Sequence, residues 1–203
     1  MTASLREIKV YTTFPHRCSY LAGEEATTLF VDPRQKLSQE LYTQLSLLGF
    51  RRSGDHVYRP HCSKCSACIA SRVRVNEFTL SRTQRRIERR NADLRLEVSE
   101  SILDDEAYGL YRNYIESRHA DGDMYAPERE QYESFLNDGL GCAHYYRLYQ
   151  GNKLVAVTVA DEMLDGLAAI YTFFDPDQPQ RSLGTEAILL QIREAKARGL
   201  PYT

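Results

Sequence analysis

The second half of the chain contains three strand-like segments in quick succession, and they constrain the fold more than any other feature. They run from His144 to Tyr149, from Leu154 to Ala160 and from Leu167 to Phe174. Short turns connect them at Gly151-Asn152 and near Asp165-Gly166. Because turns of so few residues join antiparallel neighbours, we predict three antiparallel strands in one sheet.

Helical patterns flank these strands on both sides. Helices are predicted from Asp104 to Arg118, from Pro127 to Gly139, and after Arg181-Ser-Leu-Gly-Thr185 as far as Gly199. The side chains predicted to be buried in the first two are Leu110, Tyr111, Tyr114, Ile115, Tyr132, Phe135 and Leu136. Helix, helix, antiparallel strands, glycine turn and helix is the order found in the N-acetyltransferase (GNAT) fold. We therefore predict an α+β protein with a GNAT fold in its C-terminal half.

The first half is predicted to be a smaller α+β domain, rich in cysteine and arginine. Its predicted elements are a helix from Leu37 to Leu48, a hairpin from Phe50 to Tyr58, a strand from Ile69 to Val75 and a helix from Ser81 to Asn91. The segment 97–103 is the predicted joint between the halves. The expected domains are therefore residues 1–98 and 99–203.

The net charge of −2 conceals a strongly basic region. Between Arg51 and Arg95 the chain carries 12 Lys+Arg and 4 Asp+Glu, a local balance of +8, which leaves −10 for the rest. Helical spacing places five arginines of this region on one face, here called the arginine stripe: Arg82, Arg85, Arg86, Arg89 and Arg90. Guanidinium groups suit phosphates, so the stripe is a candidate RNA-binding surface. Neutralisation by the acidic second half is the alternative, and the sequence leaves it open.

Three cysteines, Cys62, Cys65 and Cys68, are spaced two residues apart, and Cys18 lies upstream. The N-terminal residues lack the basic and apolar regions of a signal peptide, and no apolar run is long enough to span a bilayer. We therefore expect a cytoplasmic protein with reduced thiols. Reduced thiols at this spacing are candidate ligands for zinc or an iron–sulfur cluster, although packing in a reduced core is the alternative. Cys142 stands alone and is expected in the core.

Two further motifs carry groups suited to catalysis. In acetyltransferases with the predicted fold, a loop like Arg181-Ser-Leu-Gly184-Thr-Glu186 offers backbone N–H groups to the coenzyme A pyrophosphate. Glu186 places a bulky anion there, which argues against coenzyme A and leaves another substrate or a simple helix start as the alternatives. The motif Arg118-His119-Ala-Asp121-Gly-Asp123-Met124 offers His119 as a base candidate, or forms only a turn between helices.

Taken together, these motifs resemble those of bacterial aspartate/glutamate leucyltransferases, which are relatives of eukaryotic arginyl-tRNA–protein transferases. The matching segments are Phe50 to Pro60, the cysteine run, Gln84 to Asn91, Arg118 to Met124, Tyr171 to Pro176 and Arg181 to Gly184. The resemblance implies transfer of leucine from leucyl-tRNA to the α-amino group of proteins that begin with Asp or Glu, which feeds N-end rule degradation. It also implies that family members continue beyond Thr203, so this chain is expected to be truncated at its C-terminus.

For this reaction we expect a role for each group of candidate residues. The arginine stripe is expected to hold tRNA, and Arg118 or His119 to recognise the acidic side chain of the acceptor. Backbone amides in the loop with Arg181, Gly184 and Thr185 are expected to face the aminoacyl ester. The candidate catalytic residues are Tyr171, Asp175, Ser182 and Asp121. Cys18, Cys62, Cys65 and Cys68 are candidate metal or cluster ligands, and catalysis itself requires no cofactor.

Two other functions fit the same motifs. One is an acyl-coenzyme A-dependent N-acyltransferase of the same fold with a different donor. The other is a non-catalytic, metal-stabilised module that binds RNA. Binding of acetyl-coenzyme A would identify the first, and RNA binding without leucine transfer would identify the second.

Overall fold

A computed structural model describes residues 5–122, 124–137 and 139–203, with all their side chains except that of Arg6. The described chain forms two compact units that divide between Ser71 and Arg72. The α+β class predicted from the sequence is confirmed, because both units combine helix with antiparallel sheet.

The first unit is built on an antiparallel sheet of four strands in the order β1-β4-β6-β5. Its elements are β1 (Val10–Thr12), β2 (His16–Arg17), β3 (Glu25–Ala26), β4 (Thr28–Val31), α1 (Gln39–Leu47), β5 (Arg51–Ser53) and β6 (His56–Pro60). Strands β2 and β3 form a separate small hairpin. The predicted helix and the predicted β5–β6 hairpin are both confirmed. Gly49 ends the helix with a φ of +84°, a conformation that glycine adopts without steric cost.

The second unit contains a four-stranded antiparallel sheet in the order β10-β9-β8-β7. Its strands are β7 (Leu94–Ser99), β8 (Ala143–Gln150), β9 (Lys153–Glu162) and β10 (Leu167–Phe174). Its helices are α2 (Arg82–Arg90), α3 (Asp105–Arg118), α4 (Arg129–Leu136) and α5 (Leu183–Ala197). The three antiparallel strands predicted from the short turns are therefore confirmed, as are the helices around them.

Helices cover both faces of the second sheet. Alternation along β8 sends Tyr145 into a cluster with α3 and α4, and Tyr146 into a cluster with α5. The residues predicted for the first cluster behave as expected: Tyr111, Ile115, Tyr132 and Leu136 are fully buried, and Leu110, Tyr114 and Phe135 pack partly buried against them. A buried side chain of this size contributes about 1.5–3 kcal/mol. Burial on both faces thus fixes the positions of the ends of β10, α3 and α5.

One sequence prediction about local structure is wrong. Residues 69–75 do not form a strand: Ile69 is 81% exposed, and Val73 and Val75 donate their N–H groups to Thr203 and Pro201. Their backbone groups are thus satisfied by the chain's last residues. The joint predicted at 97–103 includes the end of β7, which pairs with β8 along its whole length, and it stays a prediction. The division into domains 1–98 and 99–203 remains a prediction, and it differs from the two compact units by the segment 72–98.

Among the described residues, no helix combines the length and apolar character needed to cross a membrane.

Candidate active site and nucleic-acid interface

The arginine stripe lies on a well-capped helix. Ser81 and Gln84 form a reciprocal capping box in which the Ser81 Oγ accepts from the Gln84 N–H at 3.2 Å and the Gln84 Oε1 accepts from the Ser81 N–H at 2.8 Å. Ile87 and Asn91 are buried on one side of the helix. All five arginines of the stripe are exposed on the other side. The helix and the cationic face predicted from the arginine spacing are therefore both present.

The stripe is not neutralised by the protein's own carboxylates. In the described part of the chain, none of its five arginines forms an ion pair. Arg85 and Arg89 donate instead to the backbone carbonyls of Leu80 and Arg85, at 2.8 and 3.3 Å. The one acid of the helix, Glu88, pairs with Arg193 of α5 at 2.6 Å. The alternative that the acidic second half neutralises the stripe is thus wrong for the described residues.

Arg181 joins the C-terminal end of this helix to the start of α5. Its guanidinium forms a bidentate pair with Asp93, with both N–O distances 2.9 Å, and also reaches the Arg90 carbonyl at 3.2 Å. Asn91 returns a bond from its Nδ2 to the Arg181 carbonyl at 2.9 Å. The Arg181 hydrogen bonds hold the pKa of Asp93 below its usual value. Because the Arg181 side chain is only 12% exposed and its donors are used within the protein, it positions the loop and offers little to a ligand.

The same junction brings the stripe to the loop predicted to face the substrate. The Arg90 guanidinium donates to the carbonyl of Gln180, which lies in the turn Pro179–Arg181. That turn leads directly to Ser182 and the first residue of α5. The sequence placed the stripe and the loop in different domains, but they are neighbours within one compact unit.

The N-terminus of α5 has free N–H groups. Those of Leu183 and Gly184 have no acceptor among the described residues, whereas those of Thr185 and Glu186 donate to the Ser182 carbonyl at 3.0 and 3.1 Å. Ser182 precedes the helix with a φ of +53°, a left-handed conformation that costs a non-glycine residue about 1 kcal/mol or more. Its hydroxyl makes no capping bond. The helix end therefore retains N–H donors and the positive end of the helix dipole for an anionic group.

Close packing favours glycine at position 184. A Cβ at this position would lie 3.1 Å from Cε1 of Phe174, which is closer than an unstrained contact allows. The first turn of α5 consequently lies against the end of β10. Phe174 was not among the candidate site residues, although it lies within the matching segment Tyr171 to Pro176, directly before the predicted Asp175.

Phe174 also connects this helix end to the predicted acceptor-binding residues. Its ring lies 4.9 Å from that of Tyr114, and the Arg118 guanidinium lies 5.9 Å from its centroid. The Tyr114 hydroxyl is 3.3 Å from Nε2 of His119. Arg118 is exposed and His119 half-buried. Arg118, His119 and Gly184 thus converge on one aromatic pair, Phe174 and Tyr114.

Tyr171 lies three residues before Phe174 on β10. Its side chain is on the opposite face of the strand from that of Thr172. Its ring packs 5.1 Å from Phe135 and 6.3 Å from Tyr111, and its hydroxyl donates to the Met124 sulfur at 3.7 Å. Burial raises the pKa of Tyr171 well above its usual value. Its hydroxyl is therefore protonated at neutral pH and is a hydrogen-bond donor.

Asp175 is almost completely buried at 2% exposure and is fully hydrogen-bonded. Its carboxylate accepts from Lys153 at 2.6 Å, Gln178 at 3.0 Å and the Asp177 N–H at 3.1 Å. Burial by itself raises the pKa of Asp175, but these donors outweigh it and the pKa is lowered. An anion held this way is a weak proton acceptor, and its contacts fix the turn that leads to Ser182.

The remaining predicted residues are less well connected. Asp121 is exposed, and Asp123 lies outside the described residues. Thr185 is half-buried in the first turn of α5. Glu186 is buried and its Oε1 accepts from Arg193 at 2.6 Å, so its carboxylate is engaged along the helix. This ion pair reduces the repulsion that Glu186 would exert on a phosphate.

The predicted cysteine ligands all belong to the first unit and are free thiols. The Cys18 sulfur accepts from the N–H groups of Tyr20 and Leu21, both at 3.4 Å, and the Cys65 sulfur accepts from Ala67 at 3.5 Å. Such N–H donors also suit a metal-bound thiolate. Among the described residues, however, no group of three or more His, Cys, Asp or Glu side chains is gathered closely enough to hold a metal ion. Cys142 is buried, as predicted.

Fold and site together define an α+β protein in which a cationic helix meets the free N–H groups of a second helix beside an aromatic pair. Comparison with known proteins shows which family the chain belongs to. Residues 16–86 match the family described as arginine-tRNA-protein transferase, N terminus, and residues 106–203 match arginine-tRNA-protein transferase, C terminus.

Similar proteins are found in several bacteria. The aspartate/glutamate leucyltransferase of Stutzerimonas stutzeri (strain A1501) is 53% identical over 197 residues, which cover 97% of this chain and 84% of the relative. That of Pseudomonas aeruginosa (strain LESB58) is 52% identical over 196 residues, covering 97% and 83%. That of Alcanivorax borkumensis is 50% identical over 198 residues, covering 98% and 82%. The chain belongs to the arginine-tRNA-protein transferase family, which confirms the resemblance noted in the sequence.

Proposed function

We propose that this protein transfers leucine from leucyl-tRNA to the α-amino group of proteins that begin with Asp or Glu, and so marks them for N-end rule degradation. The relatives at 50–53% identity carry the name of this activity. The structural observation that carries the proposal is the junction at Arg90 and Gln180. There, a helix suited to an RNA backbone ends at the loop that opens α5.

The donor binds through the arginine stripe. Five exposed guanidinium groups without carboxylate partners in the described chain are suited to successive phosphates. Such contacts release counterions, so binding should weaken steeply with salt. The segment 1–98 is proposed as the tRNA-binding part and 99–203 as the transferase part, with the acetyltransferase-like GNAT fold. Both parts are proposed to act in the cytoplasm.

The reaction is aminolysis of an ester. The acceptor amine attacks the leucyl carbonyl carbon, the C–N bond forms, the C–O bond to the terminal ribose breaks, and the ribose hydroxyl leaves with a proton. A tetrahedral oxyanion forms on the way and needs preorganised donors. The free N–H groups of Leu183 and Gly184 supply them at the positive end of α5, and the protonated Tyr171 hydroxyl is a further donor. Ser182 holds the backbone in the left-handed conformation that presents these groups.

The acceptor is recognised by charge. Arg118 is exposed beside Phe174, and its cationic side chain suits the carboxylate of an N-terminal Asp or Glu. His119 provides a second donor at the same place. The ammonium proton goes to Asp121 or to solvent, because the three donors on Asp175 make that carboxylate a poor acceptor. Arg181, Asp175 and Thr185 then act as positioning residues for the loop.

The cysteines are proposed as a separate, structural feature. Cys18, Cys62, Cys65 and Cys68 would supply thiolate ligands to zinc or an iron–sulfur cluster after rearrangement of their loops. The N–H donors to Cys18 and Cys65 fit such a role. No step of the leucine transfer passes through this group.

The test is transfer of labelled leucine. Leucyl-tRNA carrying radioactive leucine is incubated with peptides that begin with Asp or Glu and with matched peptides that begin with Asn or Gln. Label is expected only in the peptides that begin with Asp or Glu. Transfer from arginyl-tRNA and not from leucyl-tRNA would replace leucine with arginine in the proposal, and tRNA binding without any transfer would indicate a non-catalytic RNA-binding module.

The acyl-coenzyme A alternative is supported by the same free N–H groups at α5, which suit a pyrophosphate. Calorimetric titration with acetyl-coenzyme A decides between the donors. We expect no binding at concentrations where leucyl-tRNA is used, because the stripe beside the loop matches a polynucleotide. Tight binding of acetyl-coenzyme A with acetyl transfer to a peptide would contradict the proposal.

A further inference from the structure

One face of the first unit's sheet carries aromatic side chains in a single line. Cross-strand pairing aligns Tyr11 on β1 with Phe30 on β4, and Phe30 with Tyr58 on β6. The Phe30 and Tyr58 rings stack with centroids 5.5 Å apart and planes inclined by 29°. These three residues, here called the aromatic row, therefore cross three strands of the sheet in register.

The aromatic row lies on the accessible face. Tyr11 is 49% exposed, and Phe30 and Tyr58 are half-buried by one another and their neighbours. Alternation places Val31, Arg52 and Val57 on the other face, where each is at most 4% exposed. The sheet thus buries one side and presents the aromatic row on the other.

Basic groups extend the aromatic row at its end. Arg51 on β5 pairs across the sheet with Tyr58, and its guanidinium lies 5.7 Å from the Tyr58 centroid. The His56 ring lies 6.2 Å from Phe30. In the described chain Arg51 has no carboxylate partner. The sequence segment from Arg51 to Ser71, which includes β5 and β6, carries four Lys+Arg and one Asp+Glu.

We propose that the aromatic row with Arg51 is a stacking surface for unpaired nucleotides of RNA, and that its occupant is a single-stranded segment of the donor tRNA. Flat rings on an open antiparallel sheet offer π-faces to successive bases, and a neighbouring cation meets the connecting phosphates. The stripe grips a backbone that can be double-stranded, whereas the aromatic row requires exposed bases. The identity of the occupant as tRNA rests on the proposed function, but the preference for unpaired bases does not.

The far end of the aromatic row is held in place by hydrogen bonds. The Tyr11 hydroxyl donates to Asp32 at 3.0 Å and accepts from Arg34 at 3.0 Å, while Arg34 forms a pair with Asp32 at 2.8 Å. These bonds fix the Tyr11 ring in an otherwise exposed position. A preorganised ring loses less entropy when a base stacks on it.

The experiment measures binding of two fluorescein-labelled RNAs to the full chain by fluorescence polarisation. One is a single-stranded hexamer that ends in CCA, and the other is a blunt duplex of the same composition. Tyr58→Leu removes a π-face but keeps apolar volume, and should weaken hexamer binding roughly tenfold while leaving the duplex unchanged. Tyr58→Phe keeps the ring and should bind the hexamer like the wild type.

Tyr20→Leu is the matched control, because Tyr20 is an exposed tyrosine of the same unit, at 72%, that lies outside the row. Its hexamer binding should be unchanged, and thermal unfolding should show that all three variants fold. Equal loss of hexamer and duplex binding in Tyr58→Leu would overturn the proposal, as would wild-type hexamer binding. A shift in sedimentation of Tyr58→Leu with unchanged RNA binding would assign the face to self-association and also overturn it.

Leucine transfer separates this proposal from the proposed function. If the wild type binds the hexamer through Tyr58 but transfers no leucine, the stacking surface stands and the activity fails. If it transfers leucine and Tyr58→Leu neither weakens hexamer binding nor raises the KM for leucyl-tRNA, the activity stands and the stacking surface fails.

Discussion

Asp175 shows how strongly a single carboxylate can be committed to structure. Ionised, it accepts from Lys153, Gln178 and the Asp177 N–H while almost fully buried. Its folded-state pKa lies below the ordinary value, so its contribution to stability is present above about pH 4 and is lost as pH falls towards the folded pKa. Asp175→Asn should lower the free energy of unfolding at pH 7 by about 1–3 kcal/mol.

Urea unfolding at pH 7 and pH 3 measures this difference. The gap between wild type and Asp175→Asn should narrow at the lower pH, since the wild-type carboxylate is then being protonated. Asp177→Asn is the control, because its side chain is exposed in the same turn. A gap of equal size at both pH values would show that the asparagine disrupts packing and not charge.

Gly184 tests how closely the first turn of α5 must approach β10. Gly184→Ala gains about 1 kcal/mol in helix propensity but forces Phe174 to move by a few tenths of an ångström. We expect stability to change by less than about 1 kcal/mol. Leucine transfer should fall roughly fivefold, because small displacements of reacting groups are costly. Adding Phe174→Leu removes the close contact, so transfer should recover if the displacement alone is responsible and should stay low if the ring itself contacts the substrate.

At the scale of one element, the arginine stripe on α2 is expected to bind tRNA phosphates. Arg82→Ala with Arg86→Ala removes two cations that make no ion pair in the described chain, so folding should be unaffected. The slope of log K against log salt for tRNA binding should fall by about 1.4–1.8 in magnitude. Arg112→Ala, on an exposed face of α3 and 4.0 Å from Glu116, is the matched control. An unchanged slope in the double variant would remove the stripe from donor binding.

Elements with strong local signals could be predicted from the sequence, and those that depend on distant partners could not. The arginine spacing is local, and α2 is found where a helix was predicted. The junction of Arg181 with Asp93 joins residues 88 positions apart, and no pattern in the sequence indicates it. The strand predicted at 69–75 failed for the same reason, since its backbone partners are the last residues of the chain.

The aromatic pair illustrates the same limit inside the site. Tyr114 was predicted as a core residue from helical spacing, and it does pack partly buried. That spacing carries no information on Phe174, which reaches Tyr114 because α3 packs against β10. Candidate residues chosen from motifs therefore included the neighbours of this pair, Arg118 and Gly184, but not the pair itself.

At the scale of the whole second unit, the bidentate Arg181–Asp93 pair connects the end of α2 to the loop that opens α5. Arg181→Lys keeps the charge but loses the planar fork, so the loop is held less rigidly while the stripe stays intact. We expect the KM for leucyl-tRNA to change less than twofold and kcat to fall about tenfold, because the loss is in positioning the oxyanion donors. Asp93→Asn should show the same pattern, more weakly, since it retains one oxygen acceptor. Steady-state kinetics with an Asp-started peptide gives both constants, and a rise in KM with unchanged kcat would mean that Arg181 serves tRNA binding directly.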